Sequence, residues 1–340
     1  MTRVRVMLIA GALLAALAAP GPAAAQSKKM VIAAPGIPPI FASVILYVAE
    51  KEGFFKKYGV DAEVRPFDTG TAASRAVISG DIEMSLSPSA LLINQISNAD
   101  ANTVAIYGLT NSDFLLGSTD PAKTSCKDVA GQPVGVDTVG GARSIALRSM
   151  LAGGCPGVTI DEVQQVSLSS NVAPAMIAGR LNFGVLHLDD VSVVEAQGKK
   201  VAQIVTAQKA NPNSHYLVFV VRLDKLKENR NAYVGLMAAL IEAARFIRDP
   251  SNAERVAEAA APTGHDKAIA KATIRPLIDI DYWPAADDGL DRKRLESLIA
   301  VMKKTKGIKD DKEPVKYDRL VDQSVWRDAK AMVDANAKVH

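Results

Sequence analysis

The chain has little of what most active sites are built from. Its 340 residues hold only two cysteines and four histidines, and aromatic residues make up 5%. There is no C-x-x-C, H-E-x-x-H, Walker A, G-x-G-x-x-G or G-x-S-x-G sequence. The usual thiol redox, zinc-peptidase, P-loop, dinucleotide and serine-hydrolase signatures are therefore missing. An excess of one charge is missing too. Of the 40 basic residues, Arg3 and Arg5 lie in a leader-like start, so 38 stand against 37 acidic residues in the rest. That balance argues against nucleic acid as a partner, since phosphate-binding surfaces need clustered Lys and Arg. Paired carboxylates such as Asp287-Asp288 and Asp310-Asp311 read as solvated loops.

What is present begins with a secretory leader at 1–25: Arg3 and Arg5, an apolar run over 7–19, and Ala23-Ala24-Ala25 before Gln26. This is the layout of a cleavable signal with its cut near Ala25, and the run is too short to span a bilayer. An oxidising destination predicts that Cys126 and Cys155 pair, the alternative being two unpaired thiols.

A diverged repeat organises the remainder. Ala76-Val-Ile-Ser-Gly80 with its following strand recurs 99 residues later as Ala175-Met-Ile-Ala-Gly179 with its own. Each copy reads as a helix end, a glycine stop and a short strand running into small residues. Strands are expected over 30–34, 60–67, 82–87 and 103–108, then over 133–137, 162–168, 182–188 and 200–206, with helices between them. Alternation of this kind implies a parallel sheet covered on both faces. Two such series predict an α/β chain of two Rossmann-like lobes with a ligand cleft between them. Lobe 1 takes 26–112 and 220–340, and lobe 2 takes 113–219. The chain crosses near 111–118 and again near 212–222, and two crossings make a hinge.

In open α/β sheets ligands sit beyond the carboxyl ends of strands, where helix N-termini offer free amides. The lobe 1 candidates are Gly36, Ile37, Pro38 and Phe41, then Asp68, Thr69, Gly70 and Thr71, and then Ser85, Ser87 and Ser89. In lobe 2 they are Thr138, Gly140, Gly141, Arg143 and Ser144, then Ser169 and Ser170, and then His187, Asp189 and Asp190. Arg143 is suited to a bidentate contact with an oxyanion, and His187 or Asp189 to an amine or ring N–H. Each has a bland alternative: Thr71 and Ser170 as helix caps, Gly140-Gly141 as a turn, Arg143 on a solvated face, and Asp189 or Asp190 capping a helix. No further His or Cys near His187 has ligand spacing, so neither a metal nor a cofactor is expected.

Four segments carry a family resemblance. They are Ala49-Glu-Lys-Glu-Gly-Phe-Phe-Lys-Lys-Tyr-Gly-Val-Asp-Ala-Glu-Val64, residues 76–85, Lys127-Asp-Val-Ala-Gly-Gln-Pro-Val-Gly-Val136, and 175–179 with the strand after it. In this order they resemble the periplasmic substrate-binding proteins of nitrate, sulfonate, taurine and pyrimidine-precursor ABC importers. The resemblance covers about 30–300. It implies a type II periplasmic-binding-protein fold, a small polar or anionic organic ligand, a membrane permease as partner, no catalysis and a monomer. The likeness departs after Gly179: many members carry an acidic residue two positions on, where this chain has Leu181. The alternatives are a pyrimidine-precursor biosynthetic enzyme of the same fold and a ligand-sensing module for a membrane partner.

Overall fold

The computed structural model describes residues 29–337; the leader expected at 1–25 and His340 lie outside the described residues. Two five-stranded sheets carry the chain. The first has the order β2-β1-β3-β10-β4 and the second β7-β6-β8-β5-β9. The strands are β1 (Met30–Pro35), β2 (Ala62–Phe67), β3 (Met84–Pro88), β4 (Thr103–Leu109), β5 (Leu115–Ser118), β6 (Pro133–Val136), β7 (Gln164–Ser167), β8 (Phe183–Leu186), β9 (Ala202–Thr206) and β10 (Leu217–Arg222). The helices used below are α1 (Val44–Lys51), α2 (Gly70–Ser79), α3 (Ser89–Ala99), α4 (Ala142–Gly154), α5 (Val172–Ile177), α6 (Leu188–Ala196), α7 (Arg230–Arg248), α8 (Ala253–Ala259), α9 (Lys267–Asp279), α10 (Arg292–Lys304) and α11 (Ser324–Asn336).

The two sheets have the same order once β1 is matched with β6, β2 with β7, β3 with β8, β4 with β9 and β10 with β5. The repeat seen in the sequence is thus a repeat of topology. A wholly parallel sheet was expected, and the structure corrects this. β10 runs antiparallel to β3 and β4, and β5 runs antiparallel to β8 and β9. Each of these strands is the first the chain forms on arriving from the other sheet, so it enters from the opposite end. β5 was missed as a strand because four residues, Leu115-Leu-Gly-Ser118, are too few to show a period.

Sequence and position agree along the sheets. All but the last residue of β10 are buried, as its unbroken apolar run requires inside a covered sheet, and β4, which ends the strand order, is buried as well where the tail covers it and Asp322 N donates to the Ala105 carbonyl at 2.8 Å. β2 is largely exposed and carries Pro66, which suits an edge where a missing amide costs no ladder bond. On the lobe 2 side, Cys126 and Cys155 form a disulfide that ties the end of α4 to the turn after β5. Closing its 29-residue separation is worth roughly 3–4 kcal/mol in the chain-entropy model.

The tail does more than complete the first sheet. α7 packs on α1 and α11, while α9 packs both on α8 and on α6 of the other lobe. One hydrophobic core runs through this contact, joining Val191 and Val194 of α6 to Ile274 and Leu277 of α9. Within it Thr273 Oγ1 donates to Ser192 Oγ at 2.9 Å. The lobes are therefore joined by two chain crossings and by a packed helix pair. The loop before α10 is not simply solvated at Asp287-Asp288. Gly108 donates to the Asp288 carbonyl at 2.8 Å, and a Cβ on Gly108 would fall 2.3 Å from the Gly289 oxygen, so only glycine permits this approach.

Candidate functional site

A cavity of about 640 Å³ opens between the lobes at the carboxyl ends of β1, β2, β6 and β8. Lobe 1 contributes Gly36 and Ile40 after β1, Asp68, Thr69 and Gly70 at the start of α2, and Leu86, Pro88 and Ala90 around β3. Lobe 2 contributes Gly140, Gly141, Ala142 and Ile145 at the start of α4, and His187 after β8. Both crossings form its floor, through Ser112 and Phe114 in one and Asn211, Ser214, His215 and Tyr216 in the other.

Of the residues expected from sequence, seven line this cavity: Gly36, Asp68, Thr69, Gly70, Gly140, Gly141 and His187. Thr69 is the N-cap of α2, and its hydroxyl accepts from Ala72 N at 3.1 Å. Thr71, read as a possible cap, is instead exposed inside the first turn. Ile37 and Pro38 are exposed beside the lip, and the peptide between them is cis. Phe41 is buried at the back, with ring centroids 5.7 Å from His265 and 6.5 Å from Trp283. Ser85 and Ser87 are buried and bond one another at 3.0 Å. Ser89 Oγ bonds His215 Nδ1 at 2.8 Å. Thr138, Ser169 and Ser170 are exposed in loops, Ser169 with a left-handed φ of 53°.

The charged candidates of lobe 2 turn out to be matched with partners inside the protein. Arg143 Nη1 donates to Asp190 Oδ2 at 2.7 Å and to the Val185 carbonyl at 2.6 Å. Burial works against its charge, but Asp190 outweighs burial and raises its pKa. The oxyanion partner expected for Arg143 is thus supplied by Asp190. Asp190 also accepts from His187 N at 2.9 Å, so it, not Asp189, caps α6. Ser144 does not meet the cleft: its hydroxyl donates to Gln165 and accepts from Gly140 N.

His187 and Asp189 belong to a network that sequence reasoning missed. His187 Nδ1 lies 3.0 and 3.1 Å from the two carboxylate oxygens of Asp113, which also accepts from Tyr282 OH at 3.3 Å. Burial disfavours the imidazolium, yet Asp113 prevails and the pKa of His187 is raised. Asp189 Oδ2 accepts from His265 Nε2 at 2.9 Å, a contact from lobe 2 to the tail of lobe 1. That bond raises the pKa of His265; burial opposes ionisation of Asp189, but His265 and its other cationic neighbours hold its pKa down. One ligand atom from each of Asp113, His187 and Asp189 lies within 4.8 Å of the others, a spacing that could hold a cation.

His265 is more than 70 residues from its partner, and nothing in its local sequence marks it. Asp113 did carry a signal: a carboxylate directly before the apolar run Phe114-Leu-Leu has to find a buried counter-charge. His215 behaves oppositely to His187. Its Nε2 donates to the Gly289 carbonyl at 2.7 Å, it bonds no carboxylate, and burial pushes its pKa down to about 4.

Two similar lobes, a cleft at their strand ends and two crossings define the type II periplasmic-binding-protein fold. The chain belongs to the NMT1/THI5-like family, whose model matches residues 41–253. A putative binding protein of Brucella abortus is 24% identical over 205 residues, which is 59% of this chain and 62% of that protein. The match thus spans less than two thirds of this curated relative. Among solved structures, the periplasmic sulfonate-binding protein SsuA of a putative sulfonate ABC transporter from Methylobacillus flagellatus superimposes with a TM-score of 0.68. It is 14% identical, over 90% of this chain and 95% of that one. A mutant of DSZB in complex with biphenyl-2-sulfinic acid gives a TM-score of 0.63 at 16% identity, over 89% and 99% of the two chains. DSZB is a desulfurization enzyme, so the fold occurs in binding proteins and in an enzyme alike.

Proposed function

We propose that this protein is the periplasmic solute receptor of an ABC importer, which captures a small organic molecule between its lobes and delivers it to a membrane permease. The observation that carries this reading is the inter-lobe cavity, of a volume usual for small-molecule sites and lined by both lobes and both crossings. A ligand touching both lobes binds the closed arrangement better than the open one, and that difference shifts the population toward closure. The crossings at 110–114 and 207–216 absorb the rotation, and α6 must slide against α9 as the cleft narrows. The lobe arrangement the permease meets then reports occupancy. The leader-like start and the SsuA likeness support export and import roles, and no catalysis is assigned.

Mass spectrometry of molecules released by unfolding the purified protein identifies the ligand. Returned to protein freed of it, the molecule should lower the radius of gyration in small-angle scattering and be recovered unaltered. A molecule converted on incubation would favour the enzyme reading, and an unchanged scattering profile at saturation would remove the closing receptor.

A further inference from the structure

We infer that the cleft selects a molecule with an apolar, ring-sized body and a positively charged or strongly donating group received by Asp68, and that it rejects oxyanions. The inference rests on the receptor reading and concerns the chemistry of the solute.

The cationic side chains nearest the cavity are accounted for inside the protein. No Lys or Arg lines the cavity among the described residues. Arg143 is held by Asp190 and the Val185 carbonyl, and His187 faces Asp113. The N-terminus of α4, the natural seat for an anion in lobe 2, is filled by the carboxylate of Asp137. Its Oδ1 accepts from Thr138 N at 2.8 Å and Arg143 N at 3.2 Å. Gly141 lies so close to that carboxylate that a Cβ there would meet both oxygens at 2.6 Å, so a side chain at 141 would push Asp137 out. An incoming oxyanion finds the dipole of this helix already used.

Negative charge is not accounted for in the same way. Asp68 lines the cavity from lobe 1, is exposed, and has no hydrogen-bond or ion-pair partner among the described residues. The closing cleft would strip water from this carboxylate, and a bare carboxylate in a narrowing, largely apolar site demands a donor. The rest of the lining sets the body of the ligand. Ile40, Leu86, Phe114, Ile145 and Leu217 face the cavity beside the ring of Tyr216, and Ile145 is 62% exposed. An ion the size of nitrate would leave these side chains in water, whereas a ring would cover them.

The test uses compounds that share one ring and differ in charge, titrated by calorimetry into the full mature protein freed of retained molecules. Phenethylamine should bind at least tenfold more tightly than phenylacetate, with neutral phenylacetamide between them and taurine unbound. Asp68→Asn should lower phenethylamine affinity at least tenfold and leave the melting temperature within a degree. Tighter binding of phenylacetate or taurine, or an Asp68→Asn variant that binds phenethylamine as well as the parent, overturns the inference. Taurine binding with lobe closure would do so while leaving the receptor reading intact. Failure of all four compounds removes the inference, and if no molecule is retained on purification either, the receptor reading falls with it.

Discussion

The two lobes share a strand order but treat the start of the corresponding helix differently. In lobe 1, α2 is capped by the neutral hydroxyl of Thr69, and Asp68 beside it has no partner among the described residues. In lobe 2, α4 is capped by the carboxylate of Asp137, and Arg143 one residue into the helix is tied to Asp190. The same contrast appears in the histidines that line the cavity. His215 rests on a serine and a backbone carbonyl, and His187 on a buried aspartate. Lobe 2 is wired internally, with charges that hold the structure, while lobe 1 leaves a charge open to whatever enters. On the proposed reading, similar topology leaves one half of the cleft to hold the structure and the other to meet the ligand.

The largest effect should come from cutting that wiring. Asp113→Ala leaves the half-buried His187 without its carboxylate and removes the acceptor of Tyr282. It should cost about 3 kcal/mol in chemical denaturation, the low end of the range for breaking a buried pair, because solvent still reaches His187. Arg143→Ala leaves Asp190 with only its α6 cap. Both groups keep some solvent contact, so roughly 2–3 kcal/mol is expected, again as stability. If Arg143→Ala instead left stability unchanged and abolished ligand binding, the contrast between the lobes would be broken.

pH should act through the two cavity histidines in opposite senses and in separate windows, one above and one below the unfolded value. His187 has a raised pKa, so its contribution is complete below the unfolded value near 6.5 and fades as pH rises through its own higher pKa. His215 has a lowered pKa, so its contribution is complete above 6.5 and is lost on acidification toward about 4, at about 1.4 kcal/mol per unit. Nitrogen-15 NMR at pH 5.5 should find His187 doubly protonated and His215 neutral with its proton on Nε2. The reverse pattern would show that the pairing is misassigned.

Much of the fold was legible because repeat, period and punctuation are local properties. The 99-residue offset predicted two similar units, and the apolar run over 103–108 marked β4 as a strand. The antiparallel sense of β5 and β10 was not legible, since direction depends on which lobe the chain arrives from. At the site, the glycines and caps at 36, 68–70 and 140–141 could be placed because strand ends and helix starts leave marks. The roles of Arg143, Asp189 and His187 could not be read, because each is set by a distant partner: Asp190 across α4 and α6, His265 from the tail, and Asp113 from the crossing. A charged residue in sequence shows a need for a counter-charge, and only the fold shows whether the protein has already met it.

A solute receptor holds one small molecule, unaltered, between its lobes. Native mass spectrometry of the protein as isolated, beside Ala142→Trp, tests it directly. Ala142 is an exposed residue of the cavity lining at the first turn of α4, so an indole there fills the cleft without disturbing a core. The parent protein should carry a single added mass, stable over hours of incubation, and the variant none. An added mass that Ala142→Trp retains equally, or one consumed with time, would contradict the receptor reading.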